Sequence, residues 1–226
     1  MNDDRAVIFD LDGTLVHSVP DLHVALNRLL AEEGQPTLSL AAVASMVGEG
    51  ATRLVQRAFA AVDIPLSDGA ARFYTDRFRA LYLDAPCVRT TTMPHADAVL
   101  DRLAARGVKL GLCTNKPEAH TRVILERLGW AGYFGAVIGG DSLPVRKPDP
   151  APLLATLGPL AAAPARSVFI GDSVTDRDTA RAAGVPAVLV DGGYTDVPVR
   201  ELDADAHCAS LDEVDTVLAR LTAHAA

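Results

Sequence analysis

An apolar run, Val7-Ile8-Phe9, ends abruptly in two carboxylates, Asp10 and Asp12, with Gly13 behind them. The β-branched and aromatic residues predict a strand buried on both faces, and the glycine stops it. Asp10 is therefore expected at the strand's carboxyl end, where open α/β sheets bind ligands. Carboxylates this close repel unless a cation or a division of roles keeps them apart. The spacing suggests a nucleophile beside a general acid/base, with a hard metal ion between them. The plainer alternative is a strand followed by an Asx-rich turn.

Polar residues recur just past other apolar runs. Thr114, Asn115 and Lys116 follow KLGLC; Asp172 follows VFIG, with Ser173 and Asp176 close behind. Parallel strands present their carboxyl ends on one edge, so these residues are expected to converge there. Lys147, one of three lysines, stands in the Pro-bounded loop RKPDP. Together the set can handle a phosphate. A hydroxyl and an ammonium would hold its oxygens, while Mg²⁺ would offset the carboxylates. For Thr114, Asn115, Asp172 and Asp176 the alternative is ordinary helix capping.

These positions need a frame. Strands are predicted at residues 109–113, 136–138, 167–170 and 187–190. They alternate with helices at 94–105, 118–128 and 174–183, each closed by a glycine. That alternation implies an α/β fold, a doubly wound parallel sheet with helices on both faces. After the first strand the pattern changes. Ser18 can cap a helix whose stripe is Leu22, Ala25, Leu26, Leu29 and Leu30, and helical periodicity continues through 40–47, 51–62 and 68–83. Residues 16–88 thus read as an all-helical cap, inserted into a core made of 1–15 and 89–226.

A chain of 226 residues can bury one core plus a small accessory unit. The net charge of −8 argues against a nucleic-acid or anionic-membrane surface. The expected partner is a small phosphorylated metabolite, and the chain is read as a monomer or homodimer. Cys87, Cys113 and Cys208 form no CxxC pair, and the acidic start MNDDRAV is unlike a signal peptide. The expectation is a cytoplasmic protein with reduced thiols. His23, His95, His120, His207 and His224 show no paired ligand spacing and are expected at the surface.

The four clusters together resemble a known family. DLDGTL at 10–15, Thr114 in CTNK, Lys147 in RKPDP and GDSVTD at 171–176 are similar, in order and spacing, to the four motifs of the haloacid dehalogenase-like hydrolases. The helical insert resembles that family's C1-type cap. LVHSVPDL, the GEG of Gly48 to Gly50, and GGDSLPVRKPDP look most like the phosphoglycolate phosphatases. The resemblance implies that Asp10 attacks phosphorus to form an aspartyl-phosphate, and that Asp12 protonates the leaving oxygen and then activates water. It implies that Thr114 and Lys147 bind the transferring group. Mg²⁺ would be held by Asp10, the Asp12 carbonyl and Asp172, with Asp176 orienting a metal water or Lys147. Asn115, Gly48, Gly50 and Arg53 are candidates for substrate contact; for Gly48 and Gly50 an ordinary helix–helix turn, and for Arg53 a surface position, are the alternatives. His17 stands where similar enzymes carry an aspartate, and Gly192, Gly193 and Tyr194 form a turn near the rim. The implied reaction is Mg²⁺-dependent hydrolysis of 2-phosphoglycolate. Hydrolysis of a sugar phosphate or of pyrophosphate, a phosphosugar mutase and a catalytically silent binding protein are the alternatives.

Overall fold

The computed structural model describes residues 5–195 and 197–224, the last three without their side chains. The apolar runs become a six-stranded parallel sheet: β1 (Ala6–Phe9), β4 (Lys109–Cys113), β5 (Phe134–Ile138), β6 (Val168–Gly171), β7 (Ala187–Val190) and β8 (Ala206–Cys208). Their spatial order is β5-β4-β1-β6-β7-β8. β1 is central, in register with Leu112 of β4 and Ile170 of β6 opposite Phe9. After β5 the chain crosses back over β1 to add strands on its other side. The order reverses there, and that is where doubly wound sheets bind ligands.

Alternate residues of each strand face opposite layers. Val7 and Phe9 join Leu110, Leu112 and Ile170 in a core under α5 (Ala96–Ala105), α6 (Glu118–Arg127) and α9 (Val214–His224). Ala6, Ile8 and Phe169 pack on the other face against α7 (Ala151–Leu157) and α8 (Val174–Ala183). The doubly wound sheet expected from the alternation is what forms.

Between β1 and β4 lie α1 (Val19–Glu32), α2 (Leu40–Ala44), α3 (Ala51–Ala60) and α4 (Asp68–Leu83). They bury a core of their own, including Leu26, Leu29, Leu30, Phe59 and Phe78. The chain enters and leaves this unit through a two-stranded antiparallel ribbon, β2 (Val16–His17) with β3 (Thr91–Thr92). Buried Asp21, on the first turn of α1, fastens the exit. Its carboxylate accepts the backbone N–H groups of Val88, Arg89 and Thr90 and the Thr90 hydroxyl, at 2.7–3.0 Å.

Several local expectations are corrected. Ser18 does not cap α1; its hydroxyl turns back to Asp12 instead. The helix expected over 40–47 stops at Ala44, and the one expected from 94 begins at Ala96, after His95 in a left-handed conformation at φ 66°. β2, β3, β8, α7 and α9 carried no clear periodic signal. Of the histidines placed at the surface, His95 is exposed, His23 and His207 are half-buried, and His120 is buried; the His224 side chain lies outside the described residues. No helix among the described residues is long and apolar enough to cross a membrane.

Candidate active site

Asp10 leaves β1 where its amide still donates to the Ile170 carbonyl at 2.9 Å, so the side chain is fixed at the sheet edge. The loop behind it folds tightly, Leu15 and Val16 both donating to the Leu11 carbonyl, and turns Asp12 to the same side. Thr114 follows β4 and donates its amide to Ile138 of β5. Asp172 follows β6, and Lys147 comes from the loop between β5 and α7. Asp10, Thr114, Lys147, Asp172 and Asp176 are all buried. Asp12 is 13 % exposed in its side chain.

Lys147 is the hub. Its ammonium lies 2.8 Å from Asp10 Oδ1 and 2.7 Å from Asp176 Oδ1. Burial alone would strip its proton, but the two carboxylates outweigh that and hold it charged. The other Asp176 oxygen accepts the amides of Asp172 and Ser173 and the Ser173 hydroxyl. Asp176 is thereby committed to positioning Lys147 and the start of α8. Asp172 accepts the Thr14 hydroxyl at 3.1 Å and the Tyr194 amide at 2.8 Å. The backbone crowds it: a Cβ on Gly13, at φ +89°, would come within 2.5 Å of Asp172 Oδ2, and one on Gly193 would collide with the same atom.

Thr114 Oγ1 accepts the Lys116 amide at 3.2 Å, which leaves the hydroxyl proton free for a ligand oxygen. Asn115 spends its amide donors on the Gly48 and Lys147 carbonyls, both at 3.1 Å. As placed, it can only accept from a ligand through Oδ1, and it ties the helical cap to the loop of Lys147. Gly48 and Gly50 line the cleft between the two units, whereas Arg53 does not. The Arg53 side chain is 55 % exposed and faces Glu49 and Gln56, the surface position that was the alternative to substrate contact.

Over residues 5–184 the chain matches the model of the haloacid dehalogenase-like hydrolases. The chain belongs to that family. It is 51 % identical over 204 residues to a phosphoglycolate phosphatase of Rhodospirillum rubrum, covering 88 % of this chain and 85 % of that one. It is 46 % identical over 220 residues to one of Cereibacter sphaeroides, covering 96 % and 99 %. Among solved structures it is similar to that of a predicted phosphoglycolate phosphatase from Haemophilus somnus, with a TM-score of 0.87 at 31 % identity, covering 94 % and 96 % of the two chains. The haloacid dehalogenase-like hydrolase described here is a phosphatase.

The site of this hydrolase also holds residues whose individual contacts the sequence did not assign. Lys116 is buried, its ammonium 3.1 and 3.2 Å from the two Asp12 oxygens and 4.7 Å from the centre of the Tyr82 ring. Its position two residues after Thr114 was the available signal. Tyr194 reaches from the Asp172 side to the cap entrance, where its hydroxyl accepts the Ser18 amide at 2.9 Å and lies 3.0 Å from His17 Nδ1. Arg79, Tyr82 and His120 also line the cleft.

The hydrolase's residues fit a divalent cation. Oxygens of Asp10, Asp172 and Asp176 lie within 4.8 Å of one another. Across the site, Asp10, Asp12, Asp172 and Asp176 face only Lys116 and Lys147, an excess of two negative charges. The strain shows in the acids themselves. Burial pushes Asp10 up to about 6 despite the pull of Lys147, with Asp176 and Asp12 adding to the rise. Burial, then Asp176 and Asp10, push Asp172 well above the ordinary range. A doubly charged cation cancels that excess.

Proposed function

We propose that this phosphatase hydrolyses 2-phosphoglycolate to glycolate and inorganic phosphate, with Mg²⁺, through an aspartyl-phosphate on Asp10. The observation that carries the reading is the convergence of Asp10, Thr114, Lys147 and Asp172, from separate strand ends and a separate loop, on one buried edge. In the first step a carboxylate oxygen of Asp10 attacks phosphorus and the bond to the glycolate oxygen breaks. Asp12 supplies the proton that the departing oxygen takes up. In the second step water attacks the same phosphorus, Asp12 takes the proton from that water, and phosphate leaves with Asp10 restored. Thr114 donates to a phosphoryl oxygen and Lys147 offsets its charge. Mg²⁺, held by the Asp10 and Asp172 carboxylates and the Asp12 carbonyl, would neutralise charge on the transferring group when bound.

The cleft between cap and core supports a ligand with two different ends: Asp10, Asp12 and Thr114 line it on the core side, and Arg79 and Tyr82 line it from the cap. The three thiols at Cys87, Cys113 and Cys208 are free, in keeping with a cytoplasmic location.

The test is phosphate release from 2-phosphoglycolate, pyrophosphate, hexose phosphates and an aryl phosphate, each with Mg²⁺ and with EDTA. A lead for 2-phosphoglycolate of at least about 100-fold in kcat/KM, about 2.7 kcal/mol, supports the named substrate. A flat metal-dependent profile removes it, and full activity in EDTA removes Mg²⁺.

A further inference from the structure

Buried polar atoms without a partner are rare in folded proteins and mark sites where something else is meant to bind. Among the described residues six side-chain atoms make no hydrogen bond, although one of them, Asp10 Oδ1, is ion-paired with Lys147 at 2.8 Å, and only Arg102 Nη2 lies away from the cleft. The others belong to Asp10, Arg79, Tyr82, Asn115 and His120, all lining one cavity. Asp10 marks the phosphoryl end. Asn115, held to the Lys147 carbonyl, stands at that end too, and Arg79, Tyr82 and His120 describe what the opposite end of a ligand must offer.

Arg79 and Tyr82 lie on one face of α4, three residues apart. Arg79 Nε is a permanently charged donor with no acceptor, and its Nη1 has only Asp76 at 3.9 Å. Burial pushes the Tyr82 phenol up to about 12, so it keeps its proton to donate even with Lys116 lying against the ring. His120, from the core, docks both. Its Nε2 is 3.1 Å from the Arg79 carbonyl and must carry the hydrogen, and its ring stacks on Tyr82 at 5.1 Å and 12°. That hydrogen leaves Nδ1 of the neutral ring as a bare acceptor, which repels an anion and directs it to the two donors beside it.

We propose that Arg79 and Tyr82 form the subsite for a carboxylate on the non-transferring end of the substrate, with His120 as the positioning residue that sets them when the cap is seated. The proposal rests on the phosphatase reading above and assigns the acid recognition that Arg53 does not supply. It gives the cap a part in choosing the substrate: the donors sit on α4, but their placement depends on a core histidine.

The experiment compares 2-phosphoglycolate with 2-hydroxyethyl phosphate, which replaces the carboxylate by a hydroxymethyl group, in the parent and in Arg79→Ala, Arg79→Lys and Tyr82→Phe. Arg79→Ala should shrink the kcat/KM ratio between the two esters by at least about 30-fold, chiefly through KM for the acid, and Arg79→Lys should restore part of it. Tyr82→Phe keeps the ring in place and should shrink the ratio by about 5-fold, which preserves the test if Arg79→Ala folds poorly. An unchanged ratio in both variants, or equal loss on both esters, overturns the subsite. Calorimetric binding of glycolate, which has the carboxylate but no phosphorus, should weaken at least about 10-fold in Arg79→Ala. Arg79-dependent glycolate binding without phosphate release from either ester would sustain the subsite and overturn the substrate assignment; rapid phosphoglycolate hydrolysis insensitive to Arg79 would do the reverse.

Discussion

Replacing Lys116 by methionine isolates the buried pair that faces the proposed acid/base. The ammonium lies 3.1 Å from Asp12 Oδ1, and the side chains are 3 % and 13 % exposed. Two unit charges at that distance attract by about 5 kcal/mol at an effective dielectric of about 20, before desolvation is counted. Removing one member of such a pair costs about 3–5 kcal/mol because the other charge is left buried. Asp12 keeps some water and the Ser18 hydroxyl, which places the cost near the lower end, about 3 kcal/mol. For a chain of this length that corresponds to a fall of about 6–12 °C in Tm. In an Asp12→Asn background the same change strands no charge and forfeits only the contact with Tyr82, about 1 kcal/mol. Denaturant unfolding of the parent, both single variants and the double variant should therefore give a coupling energy of about 2 kcal/mol. Because Asp12 is the proposed proton donor, Lys116→Met should also lower kcat about 100-fold with little change in KM. Additive stabilities, with coupling below about 0.5 kcal/mol, would show that the pair does not hold Asp12 in place and would refute the argument.

Asp10→Asn should abolish phosphate release while, in metal-free buffer at pH 7, unfolding at no lower temperature than the parent. Its folded pKa is raised from 3.8 to about 6, so stability is lost as pH rises between those values, and the amide removes that loss. A clear fall in Tm would contradict it. Asp21→Ala leaves the backbone N–H groups of Val88, Arg89 and Thr90 without their acceptor, the last of them buried; a loss of about 2 kcal/mol is expected, with faster amide exchange confined first to residues 88–90. Burial lowers His120 below its ordinary 6.5, so the unfolded chain takes up that proton first and the fold loses stability as pH falls below 6.5. Urea unfolding at pH 7.5 and 5.5 should show a smaller loss in His120→Gln than in the parent, and equal losses would remove His120 as a contributor.

The strand-end part of the candidate site was legible in the sequence because Asp10, Thr114 and Asp172 each follow an apolar run. Asp10 after β1, Thr114 after β4 and Asp172 after β6 are placed by strand ends alone, and parallel pairing brings the ends together. Residues positioned by the docking of two units were not. Arg53 and Arg79 both stand on amphipathic helices, and periodicity tells which face is buried but not which end of it meets the core. Lys116 and Ser18 belong to loops whose return path puts them against Asp12, a contact between separate motifs. The grip of Tyr194 on Asp172 is made by a backbone amide, which leaves no residue-type signature. The ribbon of β2 and β3 has two residues a side, too few for any alternation to register.

The charges of the site explain why the cap has to meet the core. Each lysine is already committed, Lys147 to Asp10 and Asp176, Lys116 to Asp12. Neither is spare to receive a substrate's second anionic group, and the four carboxylates make the phosphoryl end more hostile to one. An acidic substrate therefore needs its own cation, placed away from those carboxylates yet inside the same cavity. Among the residues lining the cleft only Arg79 meets that requirement, and it arrives from the cap. On the proposed reading, recognition of the acid and enclosure of the site would be one event: the guanidinium on α4 meets the substrate's carboxylate where the cap contacts the core, and the bond from His120 to the Arg79 carbonyl fixes that helix there.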